Sequence, residues 1–308
     1  MKISIIGATS FLGQTLINQL QATSHELCLY SRTNKFEDIE AKWVEYSYPN
    51  QPLDYDQLAE SSVIFYCAGA GIQPKHGDSD ALIYEMNAFE PIRLLSAMQE
   101  RSYQGKVITF GSYFEIGNQQ EEHLYTEGEL VSHLNSLPNA YCIAKNMLSR
   151  FVYQTIQKEP SFVCQHFVLT NIYGATENVN RLIPYIVQTA AAGKPLEFTS
   201  GVQKRQYTHI KDVANFLVEA LDNNSVGLFN LTDPTMVSVR ELIESVLKTV
   251  KKELNISPNA TFGTIGRRDL SMKFLGLDVS QLQNKFNFAP KISLEEGIVE
   301  YIEKYASR

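Results

Sequence analysis

Tyr141 and Lys145, in the run YCIAK, are two residues of the types that move protons and steady an ionised phenol. On a helix, a spacing of four puts both side chains on one face. A lysine ammonium beside a phenol lowers its pKa and makes tyrosinate accessible near neutral pH. A tyrosine so placed can pass a proton to or from an alcohol while hydride moves to or from a nicotinamide. The spacing alone is weak evidence, because 16 tyrosines give about one such pair by chance. Tyr207 and Lys211 in YTHIK form a second match, but in a run that reads as extended, where residues four apart do not meet in the same way. Ser112 separates the two. It ends the apolar run KVITFGS, and a hydroxyl there would orient a substrate oxygen against Tyr141.

Such residues need a scaffold, and the chain alternates strand and helix patterns through its first 170 residues. Strands are predicted at 2–6, 26–31, 43–48, 63–69, 106–112 and 164–174. Helices are predicted at 11–21, at 88–101 with Pro91 in the first turn, and at 140–157. VIFYCAG (63–69) is almost continuously apolar, as in a parallel strand covered on both faces. The alternation predicts an α/β fold, a doubly wound parallel sheet of Rossmann type with ligands at the strand C-termini. Beyond 174 the pattern loosens, with helices at 181–193, 238–253 and 293–305. The expected division is a dinucleotide-binding domain over 1–170, to which 203–230 returns, and a smaller substrate-binding lobe over 171–308.

GATSFLG (7–13) lies between the first strand and the first helix. Gly7 permits the tight turn and Gly13 close packing of the helix on the sheet, while the middle position approaches the pyrophosphate. Ser10 stands there in place of a glycine, small enough to fit and able to donate its hydroxyl to a phosphate oxygen. The helix N-terminus adds free N–H groups and its positive end. The second strand ends in Leu29-Tyr30-Ser31-Arg32, without the carboxylate that holds the ribose hydroxyls of NAD. Ser31 and Arg32 suit the additional phosphate of NADP.

Composition narrows the partners. A formal net charge of −7 without a basic stripe argues against nucleic acid, and Lys251-Lys252 and Arg267-Arg268 are isolated pairs. Cys28, Cys67, Cys142 and Cys164 are scattered and form no CxxC pair, and the 6 histidines lack ligand spacing. Neither disulfides nor a metal site is expected. No signal peptide or membrane-length apolar run is read, so a cytoplasmic protein is expected.

Taken together, these segments resemble the extended short-chain dehydrogenase/reductases, particularly the nucleotide-sugar epimerase, dehydratase and ketoreductase group, over nearly the whole chain. GATSFLG resembles the nucleotide turn, which implies cofactor contacts from Gly7, Thr9, Ser10, Phe11, Leu12 and Gly13. FYCAGAG is similar to the segment beside the cofactor, implying Cys67, Ala68 and Gly69. Asn87, in NAFEPIRLLSAM, resembles the asparagine that opens the next helix. ITFGSYFEIG and YCIAK resemble the catalytic motifs, so Ser112, Tyr141 and Lys145 carry over. TNIYGA implies Asn171 as a substrate contact, although Leu169-Thr170 stand near where the family commonly has arginine and proline. GVQKRQYTHIKDVA implies Arg205, and the tail implies Arg267 or Arg268, at the nucleotide phosphates, where the planar guanidinium pairs two oxygens. Family dehydratases carry an Asp-Glu pair after the catalytic threonine; Tyr113-Phe114 follow Ser112 here, which argues against elimination.

The resemblance implies an NAD(P)-dependent oxidoreductase acting on a nucleotide-linked sugar. The leading expectation is NADPH-dependent reduction of a 4-keto-6-deoxy sugar with Tyr141 as proton donor. NAD-dependent 4-epimerisation is the alternative, and a non-catalytic cofactor-sensing protein is a third reading. A homodimer through the helices at 88–101 and 140–157 is also implied.

Overall fold

A computed structural model of the chain describes residues 1–71, 77–264 and 272–306. Seven parallel strands make the central sheet: β1 (Lys2–Ile6), β2 (Glu26–Ser31), β3 (Lys42–Glu45), β4 (Val63–Tyr66), β5 (Lys106–Ser112), β7 (Val163–Leu169) and β11 (Gly227–Leu231). Their order is β11-β7-β5-β4-β1-β2-β3. The order reverses between β1 and β4, and such a switch point opens a crevice beyond the strand C-termini.

Alternation along the strands supplies two cores. Ile3, Ile5, Leu29, Phe65, Ile108 and Phe167 face the helices Phe11–Leu20 and Ile210–Glu219. Ile6, Tyr30, Ile64, Tyr66, Val107 and Cys164 face the helices Glu90–Glu100 and Ala140–Gln157. Burial on both faces is why these strands read as continuous apolar runs. The sheet is thus a Rossmann-like layer with helices on both sides.

After β7 the chain builds smaller pieces. β8 (Asn171–Tyr173), β10 (Lys204–His209) and β12 (Met236–Ser238) form a three-stranded sheet. β9 (Leu196–Phe198) pairs with β13 (Ala260–Phe262), and β6 (Leu124–Tyr125) with β14 (Gly276–Leu277). Helices Leu182–Ala191, Val239–Leu254 and Leu294–Ala306 bury Ile186, Val187, Leu242, Val246 and Ile298 in a separate cluster. Segment 203–230 is divided: β10 belongs to the three-stranded sheet, whereas the helix Ile210–Glu219 and β11 lie with the large one.

One element differs from the sequence expectation. The helix expected over 88–101 starts at Asp80 and runs through a π-turn, Glu85–Phe89, before continuing as Glu90–Glu100. Asn87 therefore lies inside the π-turn and does not open the helix. Pro91 has no N–H to offer the Asn87 carbonyl, and a widened turn ahead of it relieves that mismatch.

Candidate active site

The N-terminus of the first helix faces the switch point. Gly7 has φ +81°, and a Cβ there would lie 2.4 Å from the Ala68 nitrogen. Both the conformation and the space demand glycine. Ser10 is the N-cap of this helix, its Oγ accepting the Gly13 N–H at 3.0 Å. The capping acceptor accounts for a serine in the turn, and it leaves the hydroxyl proton free to donate. Thr9 is half-buried, its carbonyl accepting from the Gln14 side chain.

A cleft of about 340 Å³ opens beyond β1, β4 and β5. Of the residues singled out in the sequence, it brings together Ser10, Phe11, Leu12, Cys67, Ala68, Gly69, Asn87, Ser112, Tyr141, Lys145 and Asn171. The Asn87 amide donates to the Ala70 and Ile83 carbonyls at 2.8 and 2.9 Å, while Oδ1 is buried without a hydrogen-bond partner. A Cβ on Gly69 would lie 2.9 Å from that oxygen. A bare backbone wall, an unused acceptor and a helix N-terminus fit a dinucleotide.

The candidate catalytic side chains come from two regular elements. Ser112 is the last residue of β5. Tyr141 and Lys145 lie in the first turns of the helix Ala140–Gln157, whose N-cap Asn139 accepts the Cys142 N–H at 3.0 Å. Loss of hydration pushes the Tyr141 phenol up to about 12, the Ser112 hydroxyl draws it down, and the Glu115 charge raises it further. Lys145 is buried, its ammonium donating to the Phe110 carbonyl at 2.8 Å and lying 6.0 Å from the Tyr141 ring centroid. Burial brings the Lys145 amine down to about 8 against the pull of Glu115. The expectation that Lys145 lowers the Tyr141 pKa thus differs from this geometry. Burial dominates, and Ser112, with a weaker pull from Arg181, assists ionisation.

The end of β2 is built differently from a phosphate claw. Ser31 is buried, its hydroxyl donating to the Thr33 carbonyl at 2.8 Å and accepting the Trp43 indole N–H at 3.1 Å. Arg32 is exposed beside it. Arg205, on β10, donates to the carbonyls of Lys204, Met272 and Lys273 at 2.7, 2.6 and 3.2 Å. It lines a second cavity, outside the cleft, with Tyr113, Asn171, Glu177 and Tyr207. Arg267 and Arg268 lie outside the described residues.

Arg181 escaped the sequence reading and lines both spaces. Its Nε donates to Glu177 at 2.9 Å, and it eases ionisation of Tyr141. The Glu177 carboxyl is 6% exposed, with Oε2 unpartnered, and burial lifts it to about 7 against the pull of Arg181. A signal existed. Arg181 occupies the N-cap of the helix Leu182–Ala191 and makes no side-chain cap, a poor place for a cation and hence a pointer to another partner.

Known proteins agree with this architecture. Residues 3–231 match the model of the NAD dependent epimerase/dehydratase family. CDP-abequose synthase of Salmonella muenchen is 22% identical over 303 residues, covering 96% of this chain and 95% of that protein. The structure of UDP-glucuronic acid 4-epimerase from Bacillus cereus, in complex with UDP-glucuronic acid and NAD, has a TM-score of 0.82 at 18% identity. It covers 100% of this chain and 99% of its own. MoeE5 in complex with UDP-glucuronic acid and NAD likewise has a TM-score of 0.82, at 19% identity over 100% and 99%. The chain belongs to the NAD-dependent epimerase/dehydratase family, among the extended short-chain dehydrogenase/reductases. It is an NAD(P)-dependent enzyme of that family. Among the described residues, no helix is long and apolar enough to cross a membrane, and no group of three His, Cys, Asp or Glu side chains could hold a metal.

Proposed function

We propose that the protein reduces the keto group of a nucleotide-linked sugar, a 4-keto-6-deoxy sugar above all, with NADPH. The observation that supports this most is that the cleft brings the Tyr141 phenol together with Ser112 and Lys145, where burial pushes the phenol up so that it stays protonated near neutral pH. A protonated phenol is the form that gives a proton to the oxygen of a ketone under reduction, whereas alcohol oxidation needs the tyrosinate. Bound at the cleft, the nicotinamide cofactor supplies the hydride chemistry. Ser112 orients the sugar oxygen, Tyr141 protonates it, and Lys145 holds the wall beneath both.

Elimination lacks an agent. Tyr113 and Phe114, which stand after Ser112, carry no carboxylate, Tyr113 being 1% exposed in the wall of the second cavity and Phe114 lining the cleft. The Glu115 carboxyl is fully buried with one oxygen on the Ser112 amide. The second cavity, reached past Arg181 and Asn171, accommodates the nucleotide portion, with Arg181 the cation nearest to both spaces. Exposed Phe89, Ile143 and Tyr153 on the helical layer support a homodimer formed through these helices. Arg32, without a carboxylate beside it, favours NADP, although the similar UDP-glucuronic acid 4-epimerase carries NAD.

The test is turnover of CDP-, UDP- and dTDP-linked 4-keto-6-deoxy sugars, followed as loss of NADPH absorbance. Stoichiometric NADPH oxidation with formation of one 4-hydroxy epimer is expected. Purification with tightly held NAD, and interconversion of 4-epimers without added cofactor, would instead establish the epimerase reading.

A further inference from the structure

Glu115 takes no part in the chemistry above, yet it lies directly beneath it. It belongs to a 3₁₀ turn, Tyr113–Ile116, that begins where β5 ends, and it is 0% exposed. Its Oε1 accepts the Ser112 N–H at 2.6 Å, while the Ser112 hydroxyl accepts the Phe114 N–H at 3.4 Å. Oε2 is buried without a hydrogen-bond partner. Gly111 is glycine because a Cβ would lie 2.6 Å from Glu115 Oε1 and 2.7 Å from His166 Nε2. His166 is held at both ring nitrogens, by Thr109 at 2.7 Å and Ser149 at 2.9 Å.

The groups that face this carboxyl are identifiable on every side. The helix Ala140–Gln157 contributes Tyr141, Cys142, Lys145 and Ser149, and β7 contributes His166. His133, whose Nδ1 accepts the Asn135 N–H at 3.2 Å, approaches the Glu115 backbone from the loop before that helix, and burial holds its pKa down. Burial holds His166 down to about 3, so its ring is neutral, and Lys145 lowers it further. That leaves Lys145 as the only cation among these groups, and Glu115 as their only carboxyl. Lys145 donates to the Phe110 carbonyl at 2.8 Å and Glu115 accepts the Ser112 N–H at 2.6 Å, so ammonium and carboxyl hold the same strand end on either side of Gly111. Two buried charges placed so in a site of low polarity interact, and each influences the other's proton.

We propose that Glu115 is a positioning residue that couples to Lys145 and sets the proton occupancy at which Tyr141 and Lys145 work, while its other oxygen fixes the strand end carrying Ser112. The role rests on the reading of Tyr141 and Lys145 as the catalytic pair. The Glu115 charge raises the pKa of both, so neutralising it lowers both and moves the alkaline limb of the pH–rate profile to lower pH. A carboxyl that merely capped the turn would leave that limb in place, because glutamine also accepts the Ser112 N–H.

The experiment has two readouts on the full chain. In Glu115→Gln, the alkaline limb of kcat should move down by about one pH unit, with a loss of roughly fivefold at the wild-type midpoint and little change well below it. A limb that stays in place while the rate falls uniformly overturns the proposal. The second readout needs no turnover. Carbon-13 NMR of protein labelled at glutamate Cδ identifies the Glu115 signal by its disappearance in Glu115→Gln, or in Glu115→Asp should the glutamine variant fail to fold. Lys145→Met should raise the midpoint of that signal by about one unit or more, and an unmoved midpoint overturns the coupling. Should no sugar nucleotide be turned over, the functional reading fails while the NMR midpoint still decides the role of Glu115.

Discussion

The cleft at the strand ends and the second cavity share Phe114, Asn171, Ile172 and Arg181 but were built by different rules. In the cleft each feature is a local consequence of chain order: a strand end, a glycine turn, a helix start. Gly7 with Ala68, and Ser10 with Gly13, meet because β1 and β4 are neighbours and the first helix follows at once. The second cavity is walled by residues from the turn after β5, from β8 and β10, and from the helices Leu182–Ala191 and Val239–Leu254, brought together from positions between 113 and 242. There a charge is defined by its three-dimensional neighbours. Arg205, which the family resemblance implies at the nucleotide phosphates, bonds three backbone carbonyls through its guanidinium and lines the second cavity. Arg181 begins the helix expected over 181–193 and carries no role in the sequence reading, yet it lines both spaces.

The sharpest way to break this contrast is Tyr141→Phe. Removing the proton donor should cut turnover by about 10²–10⁴-fold while the cofactor Kd changes by less than about threefold. A cofactor affinity that collapses along with turnover would mean that the cleft and the chemistry are not separable. Arg181→Ala should act on the other side of the boundary. Losing a charge-assisted contact of about 1.5–3 kcal/mol should raise KM for the sugar nucleotide roughly 10- to 100-fold with a smaller change in kcat. An unaltered KM would assign Arg181 to Glu177 alone.

A third test uses pH. Glu177 has an ordinary pKa of 4.5 and is lifted to about 7 in the folded protein. Between these values the unfolded chain has released a proton that the folded protein keeps. Stability therefore falls as pH rises through that window and levels off above it. Glu115, also lifted to about 7, contributes with the same sign. Glu177→Gln should lessen the drop in melting temperature between pH 5 and pH 8, and an unchanged drop would show that Arg181 neutralises Glu177 fully. The smallest effect is expected from Ser10→Gly. Glycine is itself a tolerable N-cap, so the cofactor Kd should stay within about tenfold, or about 1.4 kcal/mol, of wild type. Complete loss of binding would show that the Ser10 hydroxyl is essential to cofactor binding.

Much of the scaffold was legible because it repeats a short-range rule. The strand ending at Ser112 and the helix over 140–157 follow from apolar runs and from the Asn139 cap. The helix start near residue 88 was misread because the signals at Ser79, the N-cap of Asp80–Tyr84, lie ahead of a π-turn that breaks the 3.6-residue period. The sequence places the Glu115 carboxylate three residues after Ser112. Its direction was not legible, because a 3₁₀ turn and a strand place the third residue on opposite sides.

By itself, the amino-acid order determined the sheet, the nucleotide turn and the facing pair Tyr141 and Lys145, since each depends on backbone geometry within a few residues. Only the tertiary structure decided how those groups are ionised and which arginine bridges the two spaces. Ionisation depends on how much water burial removes and on charges distant in sequence. The same burial that brings Lys145 to about 8 holds Tyr141 near 12, and no spacing rule contains it.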